Sequence, residues 1–314
     1  MFWASGDAKA AGALVLALTI DALWGEPCNR FHPVAWLGCF AQKFKQRVFV
    51  PSAAPAPHLV AGACLTIATL AVAVGLPMSL IHMLPSVLSL VVGICALKCC
   101  FALRALNAAG HRMRAALEHD DMAAAREALR HLCSRSPDEL SREELAGATI
   151  ESLAENLCDS LVAPLFYFCL LGLPGALAYR GLNTLDAMFG YRGRYEWFGK
   201  VPARLDDVIN LIPSRLTAVL LLLSGGYHKA NLASGLRIWK RDARKTQSPN
   251  AGHPMAAMAG MLGVKLDKRD AYSLGDAATD LGPEAITRAM RLLTTAGYGF
   301  AVLCLIWLGV RSGL

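Results

Sequence analysis

Two unbroken apolar runs organise the first third of the chain, at 59–81 and 86–106. As helices, each is long enough to cross the roughly 30 Å hydrocarbon core of a bilayer. The link between them, 82–85, has no Lys or Arg, whereas the preceding loop holds Arg30, Lys43, Lys45 and Arg47. The positive-inside rule therefore puts the link outside and the loop in the cytoplasm. An earlier apolar segment at 10–24 carries Asp21 near its end and has no small-residue cleavage site, so it reads as a retained first helix. The run at 292–310 reads as the last span. PSAAPAP at 51–57 is a stiff extended connector. Lys98 and Arg104 fall late in the second run and are expected to snorkel to the cytoplasmic surface.

Between these spans the pattern changes twice. Residues 107–148 are alanine-rich and charged with helical spacing, and Ser136-Pro137-Asp138-Glu139 has the form of a helix start. His111, His119 and His131 in this insert suit no metal spacing and read as solvated. Two further apolar stretches, 161–178 and 208–223, are interrupted by Gly172-Leu173-Pro174-Gly175 and by Pro213 and Arg215. If both crossed, Arg180, Arg192, Arg194, Lys200 and Arg204 would lie outside, against the positive-inside rule. Half-helices that enter and return, lining a protein-walled cavity, fit better. Residues 227–245 are basic and read as a cytoplasmic face. The expected fold is all-α: a polytopic helical membrane protein with broken or re-entrant segments and a cytoplasmic helical insert. Its segments are 1–106, 107–150, 151–226, 227–291 and 292–314.

Composition sharpens this picture. The 314 residues are 55% hydrophobic and 18% charged, against about a quarter charged in soluble domains. The net charge of +7 is dispersed, with no aromatic-basic interleaving or zinc-finger spacing, which argues against nucleic acid as a partner. The ten cysteines include no C-x-x-C pair and most sit in apolar runs, so they read as buried thiols. No Walker loop, G-x-S-x-G elbow, H-E-x-x-H or Rossmann fingerprint occurs.

Against this apolar background the block 151–215 is dense in ionisable groups, which near a bilayer usually line a site. Glu151, Glu155 and Asp159 share one helical stripe, with Asn156 beside it. A solvated acidic face is the plain reading; otherwise their mutual repulsion calls for Mg²⁺, an arginine or a bound amine, and hard oxygen ligands suit Mg²⁺ completed by substrate phosphates. Glu143 and Glu144 upstream read as a solvated face. Arg180, Asn183 and Asp186 can share another helical face. Arg192, Arg194, Arg204 and Arg215 offer forks that match phosphate and carboxylate. Asp206-Asp207 with Asn210 is a second acidic pair, and a helix-end ion-pair network is an equal reading for any single member. Asn250-Ala251-Gly252-His253-Pro254 is a turn entering a small-residue helix, able to hold an anion or simply to pack closely. Asp21, Gly25-Glu26-Pro27 and His32-Pro33-Val34 form a similar polar turn.

Taken in order, these strings carry a resemblance. D-A-L-W-G-E-P with H-P-V, E-S-L-A-E-N-x-x-D, A-P-L-F-Y, P-G-A-L-A-Y-R-x-x-N-T-L-D-A-M-x-G-Y-R, A-R-L-D-D-V-x-N-x-I-P-x-R-L-T and N-A-G-x-P-x-A-A-M-A-G-x-L-G-V run from Asp21 to Val264, and the resemblance extends to about Tyr272. The chain resembles adenosylcobinamide-phosphate synthase, an integral membrane enzyme of cobalamin biosynthesis. Met255 departs from the acidic residue usual there, and Cys158-Asp159-Ser160 replaces Val-Asp-Gly, which makes Cys158 a poor candidate nucleophile. The resemblance implies ATP-driven ligation of adenosylcobyric acid to aminopropanol phosphate, or to aminopropanol, with Mg²⁺. For such a reaction, Glu151, Glu155 and Asp159 are expected to serve metal or ammonium, and Asp186 with Asp206 or Asp207 metal or base; motif membership supports the positions. Arg180, Arg192, Arg204 and Arg215 would hold phosphate and carboxylate, and Asn156, Asn183, Asn210 and Asn250 would orient substrate. The resemblance draws Asp21, His32 and His253 into substrate binding.

The implied setting is the bacterial cytoplasmic (inner) membrane, with the site facing the cytoplasm and lipid around it. Later membrane enzymes of the pathway and a homo-oligomer are open partners. Two other classes compete: a multi-pass transporter of a corrinoid or organic anion, and a Mg-dependent membrane transferase. The chain shows no inverted hydropathy repeat and no paired aspartate-rich motifs, which count against them.

Overall fold

The computed structural model describes residues 8–50, 54–133, 136–191, 193 and 195–313. In chain order the helices are α1 (Ala8–Trp24), α2 (Pro33–Val48), α3 (Pro55–Met83), α4 (Ser86–Lys98), α5 (Leu103–Glu118), α6 (Met122–Arg130), α7 (Arg142–Leu157), α8 (Ala163–Leu171), α9 (Leu173–Phe189), α10 (Lys200–Ile209), α11 (Leu211–Tyr227), α12 (Leu232–Asp242), α13 (Gly252–Leu262) and α14 (Pro283–Ser312). Four helical stretches are long and apolar enough to cross a membrane: Pro55–Met83, Ser86–Glu118, Arg142–Leu171 and Pro283–Ser312. Lys200–Ile209 and Leu211–Tyr227 qualify only together, as a broken pair. The protein is an all-α polytopic membrane protein. The departure from helix among the described residues is a short antiparallel hairpin, β1 (Leu266–Lys268) with β2 (Tyr272–Leu274), in the register Leu266 to Leu274.

Local chemistry explains where helices stop. Proline in the first turn starts α3, and Leu84 ahead of Pro85 ends it, because the residue before proline is pushed out of the helical region. The helix through 142 starts five residues later than Ser136 suggests. Ser141 and Glu144 close both halves of a capping box, while the Ser136 hydroxyl bonds Asp138 instead. Leu140 then closes a turn onto the Pro137 carbonyl.

Of the two expected interruptions, one is found in place and one is shifted. The helix that carries the acidic stripe does not end with it. It continues to Leu171 through a single π turn, Cys158–Val162. Pro164 is the physical cause: it has no N–H for the Ser160 carbonyl, and its ring would clash there. Gly172, at φ +71°, ends this helix as expected. The second break falls at Asn210 and not at Pro213 or Arg215, so Pro213 lies in the first turn of α11, where it is tolerated.

The chain forms two compact units, each assembled from separate stretches. The first holds 1–102, 163–210 and 303–314. Its core packs Ala41, Leu65, Leu185, Phe189 and Phe198, with Phe44, Phe49 and Tyr195 against them. Phe49 stacks on His58 at 4.7 Å and meets Phe198 edge-on at 5.6 Å. The second unit holds 103–162 and 211–302. Here α11, α12 and α13 approach closely over Gly225, Gly235 and Gly260, the small-residue packing expected of membrane helices.

Part of the basic face at 227–245 is neutralised within this unit. Asp242 is fully buried and accepts from Arg241 at 2.8 Å, from the Gly275 amide at 2.8 Å, and pairs with Lys245 at 2.5 Å. Burial pushes its carboxyl up, but these donors outweigh that and hold it well below the usual carboxylate range.

Two glycines of α3 give a direct check. A Cβ on Gly62 would lie 2.0 Å from the Phe198 carbonyl oxygen, whereas one on Gly75 meets nothing within 4 Å. Gly62→Ala is expected to lose about 1–3 kcal/mol through overpacking. Gly75→Ala should gain up to about 1 kcal/mol from helix entropy. Thermal unfolding in detergent micelles measures both.

Candidate functional site

In the second unit, α7 carries the acidic stripe. Glu151 is buried at 6% exposure, while Glu155, Asn156 and Asp159 are half-buried. Asn156 donates to its own helix at the Ser152 carbonyl, 2.9 Å. The π turn adds a residue to the helical path, so Asp159 leaves the strict four-residue line through Glu151 and Glu155. Such π bulges are frequent at functional sites. Glu144, expected to be solvated, is the cap partner of Ser141 and pairs with Arg269 at 2.5 and 2.8 Å.

Packed on this helix are α13, and on its π turn α11. Arg215 at the start of α11 forks onto the turn that leads into α13. Its Nη1 donates to Asn250 Oδ1 at 2.6 Å and to Ser214 Oγ at 2.9 Å, and its Nη2 to the Pro249 carbonyl at 3.1 Å. Ser248 accepts from the amides of Asn250 and Ala251. Gly252 is required at the next position because a Cβ would lie 2.3 Å from the Ala243 carbonyl oxygen. His253 Nδ1 then accepts the indole N–H of Trp239 at 3.0 Å. Burial, with Arg215 and Arg244 nearby, pulls the His253 pKa down to about 4.

In the first unit the early turns converge on Lys98. This lysine does not snorkel: it is 3% exposed and pairs with Asp21 at 3.0 Å and with Glu26. Glu26 also meets His32 Nε2 at 2.6 Å, and His32 Nδ1 caps α2 by accepting the Val34 amide. Snorkelling fails because two carboxylates inside the protein compete with water for the ammonium. Burial raises the Glu26 carboxyl, but its bonds to His32 and Lys98 prevail and leave it lowered.

Beside this network lies a cavity of about 770 Å³ with mostly apolar walls, including Trp24, Leu76 and Val91, and with Glu26, Lys98 and Arg180 among its lining. Arg180 makes no ion pair among the described residues; its closest partner is Asn183 Oδ1 at 3.5 Å.

Other expected residues have structural partners. Tyr179 donates to Asn210 Oδ1 at 3.0 Å and Asn210 to Asp206 Oδ2 at 2.8 Å, a buried chain under the break at Asn210. Tyr167 stacks on Tyr179 and donates to the Ile209 carbonyl. Arg204 is 74% exposed and stands 3.7 Å from Asp207, an ion pair on the surface of α10. Asp186 lies against the Gly190 backbone at the end of α9. Arg192 and Arg194 lie outside the described residues. Among the described residues no three His, Cys, Asp or Glu side chains cluster to hold a metal ion. Sequence reasoning missed Trp239, Ser248, Tyr167 and Tyr179. Only the run of polar and aromatic residues around the motifs could have flagged them.

The CobD/Cbib protein family matches residues 14–293 of this chain. The chain belongs to this family. A protein of Dehalococcoides mccartyi named "Cobalamin biosynthesis protein CobD" is 41% identical over 286 residues, 90% of this chain and 92% of that protein. A "Probable cobalamin biosynthesis protein CobD" of Methanothermobacter thermautotrophicus is 42% identical, covering 89% and 91%. A Clostridium perfringens relative, again named for cobalamin biosynthesis, is 30% identical over 93% of this chain and 96% of its own. No solved structure matches. The family places the chain in cobalamin biosynthesis.

The Lys98 network makes a stability prediction. Lys98→Met leaves the buried Asp21 and the half-buried Glu26 without the ammonium and is expected to cost about 3–5 kcal/mol. The Glu26 carboxyl lies below its ordinary 4.5 in the folded state. Its stabilisation is therefore complete above that value and fades as pH falls through the lower folded value. Glu26→Gln should remove this acid-dependent component from thermal unfolding curves recorded in detergent from neutral to acidic pH.

Proposed function

We propose that this chain catalyses ATP-dependent amide ligation of adenosylcobyric acid with (R)-1-aminopropan-2-ol phosphate, or aminopropanol, giving adenosylcobinamide phosphate or adenosylcobinamide. One observation carries the reading beyond family membership. A single unit packs a carboxylate-bearing helix, with Glu151, Glu155 and Asp159, against elements that present Arg215, Asn250 and His253. That pairs hard anionic ligands with an electropositive turn, the set that phosphate activation of an acid requires.

A carboxylate and an ammonium at neutral pH form a salt and not an amide, so the acid must be activated. The carboxylate oxygen attacks the γ-phosphorus of ATP and ADP leaves. The amine nitrogen then attacks the acyl carbon, inorganic phosphate departs, and the ammonium proton passes to a protein carboxylate. Glu155 is the proposed base, with Glu151 of the same helix as a further candidate. Magnesium held with the nucleotide would neutralise phosphate charge. Such an ion needs only one or two protein carboxylates beside the phosphates, so the half-buried Asp159 fits it without a three-ligand cluster. In the first unit, Arg180 on the cavity wall is proposed to receive an acidic group of a largely apolar ligand. The site is proposed to work at the cytoplasmic face of the inner membrane, where ATP is available.

The test is incubation of purified, membrane-inserted protein with adenosylcobyric acid, ATP, Mg²⁺ and aminopropanol phosphate. Amide product with ADP and phosphate is expected; uptake into vesicles without chemistry would overturn the reading. Glu155→Gln should lower kcat about 100-fold or more, and full activity would remove Glu155 from the mechanism.

A further inference from the structure

The Trp239–His253 contact fixes more than position. An indole N–H can only donate, so His253 Nδ1, 3.0 Å away, must carry the lone pair. A neutral His253 therefore holds its proton on Nε2. That atom is buried and finds no acceptor among the described residues. A buried donor left without a partner costs about 1–3 kcal/mol, so it is expected to serve a bound group. The two charged groups that bear on His253 are both arginines. Arg215 holds the turn one helix start away, and Arg244 makes no ion pair among the described residues. Two guanidinium groups discourage the imidazolium and favour an anion in the same space. Both effects agree with the depressed His253 pKa.

We infer that His253 is a tautomer-locked hydrogen-bond donor: Trp239 fixes its proton on Nε2, and Nε2–H is presented, with Arg215 and Arg244, to an anionic phosphoryl oxygen. It is not a general base, because the nitrogen that points away from Trp239 already carries the proton. Trp239 is a positioning residue that acts through the imidazole. This rests on the ligation reading for the identity of the anion, an ATP or acyl-phosphate oxygen; the geometry itself asks only for an anionic acceptor.

The test uses the full chain in detergent or nanodiscs. With ¹⁵N-labelled histidine, the wild type should show one neutral tautomer for His253, bare at Nδ1 and protonated at Nε2. Trp239→Phe should yield a tautomer mixture. Calorimetry with a non-hydrolysable ATP analogue and with pyrophosphate should show His253→Phe weakening binding about tenfold or more, the value of a hydrogen bond to a charged group. His253→Gln, which keeps a donor, should recover most of that loss. An Nδ1–H tautomer or an imidazolium at neutral pH would overturn the inference, as would unchanged affinity in His253→Phe. His253-dependent phosphate binding without amide product would instead sink the ligation reading and leave this one standing.

Discussion

A bilayer offers no hydrogen bonds, so every polar group that this chain carries among its apolar helices must be met by another part of the chain or by a ligand. The helix breaks obey this constraint one by one. At Asn210 the freed backbone is surrounded by Tyr167, Tyr179 and Asp206, which supply donors and acceptors on the spot. At Pro164 the lost bond is absorbed by a π turn and the helix continues. At Gly172 only a residue free of Cβ strain at positive φ permits the chain to turn.

The same constraint sorts the charges. Lys98 and Asp242 are buried, and each is closed by opposite charge and hydrogen bonds from the protein itself. Removing one partner from such a set is costly, whereas the complete set adds little net stability over apolar packing. These clusters therefore fix geometry: Lys98 gathers the turns after α1, and Asp242 ties the end of α12 to Gly275. The turn at 249–253 is different. Arg215 is spent on hydroxyl, backbone and amide oxygens, and among the described residues Arg244 makes no ion pair and His253 Nε2 finds no acceptor. Positive potential left over after internal pairing is the feature that separates a ligand site from a structural ion pair.

Much of this was legible in the sequence because it depends on short-range rules. Apolar length located α3 and α14, and Gly172 with Pro174 located the turn into α9. What was not legible depends on distant partners. Ser136 and Ser141 both head plausible helix starts, and Pro137 made the first look better; only Glu144 reaching back to Ser141 decides between them. Lys98 near a helix end suits snorkelling until Asp21 and Glu26, more than seventy positions earlier, close on it. Arg204 belongs to a recognisable motif, yet its place on the outer side of α10 gives it solvent and Asp207 rather than a pocket. Motif membership marks a neighbourhood, and the packing of the helix decides which members face inward.

His253 shows how that division bears on chemistry. A histidine in a family motif invites the role of base, and its ordinary pKa near 6.5 would suit one. Its surroundings remove that option twice. The indole of Trp239 occupies the nitrogen that could accept a proton, and two arginines oppose the charge that acceptance would create. Proton removal from an incoming ammonium is better matched by a carboxylate, which gains attraction from the cation as it approaches. On the proposed reading, the acidic residues of α7 and the neutral histidine of α13 divide the work by charge: the carboxylates would attract cation and proton, and the imidazole N–H with its arginines would attract phosphate.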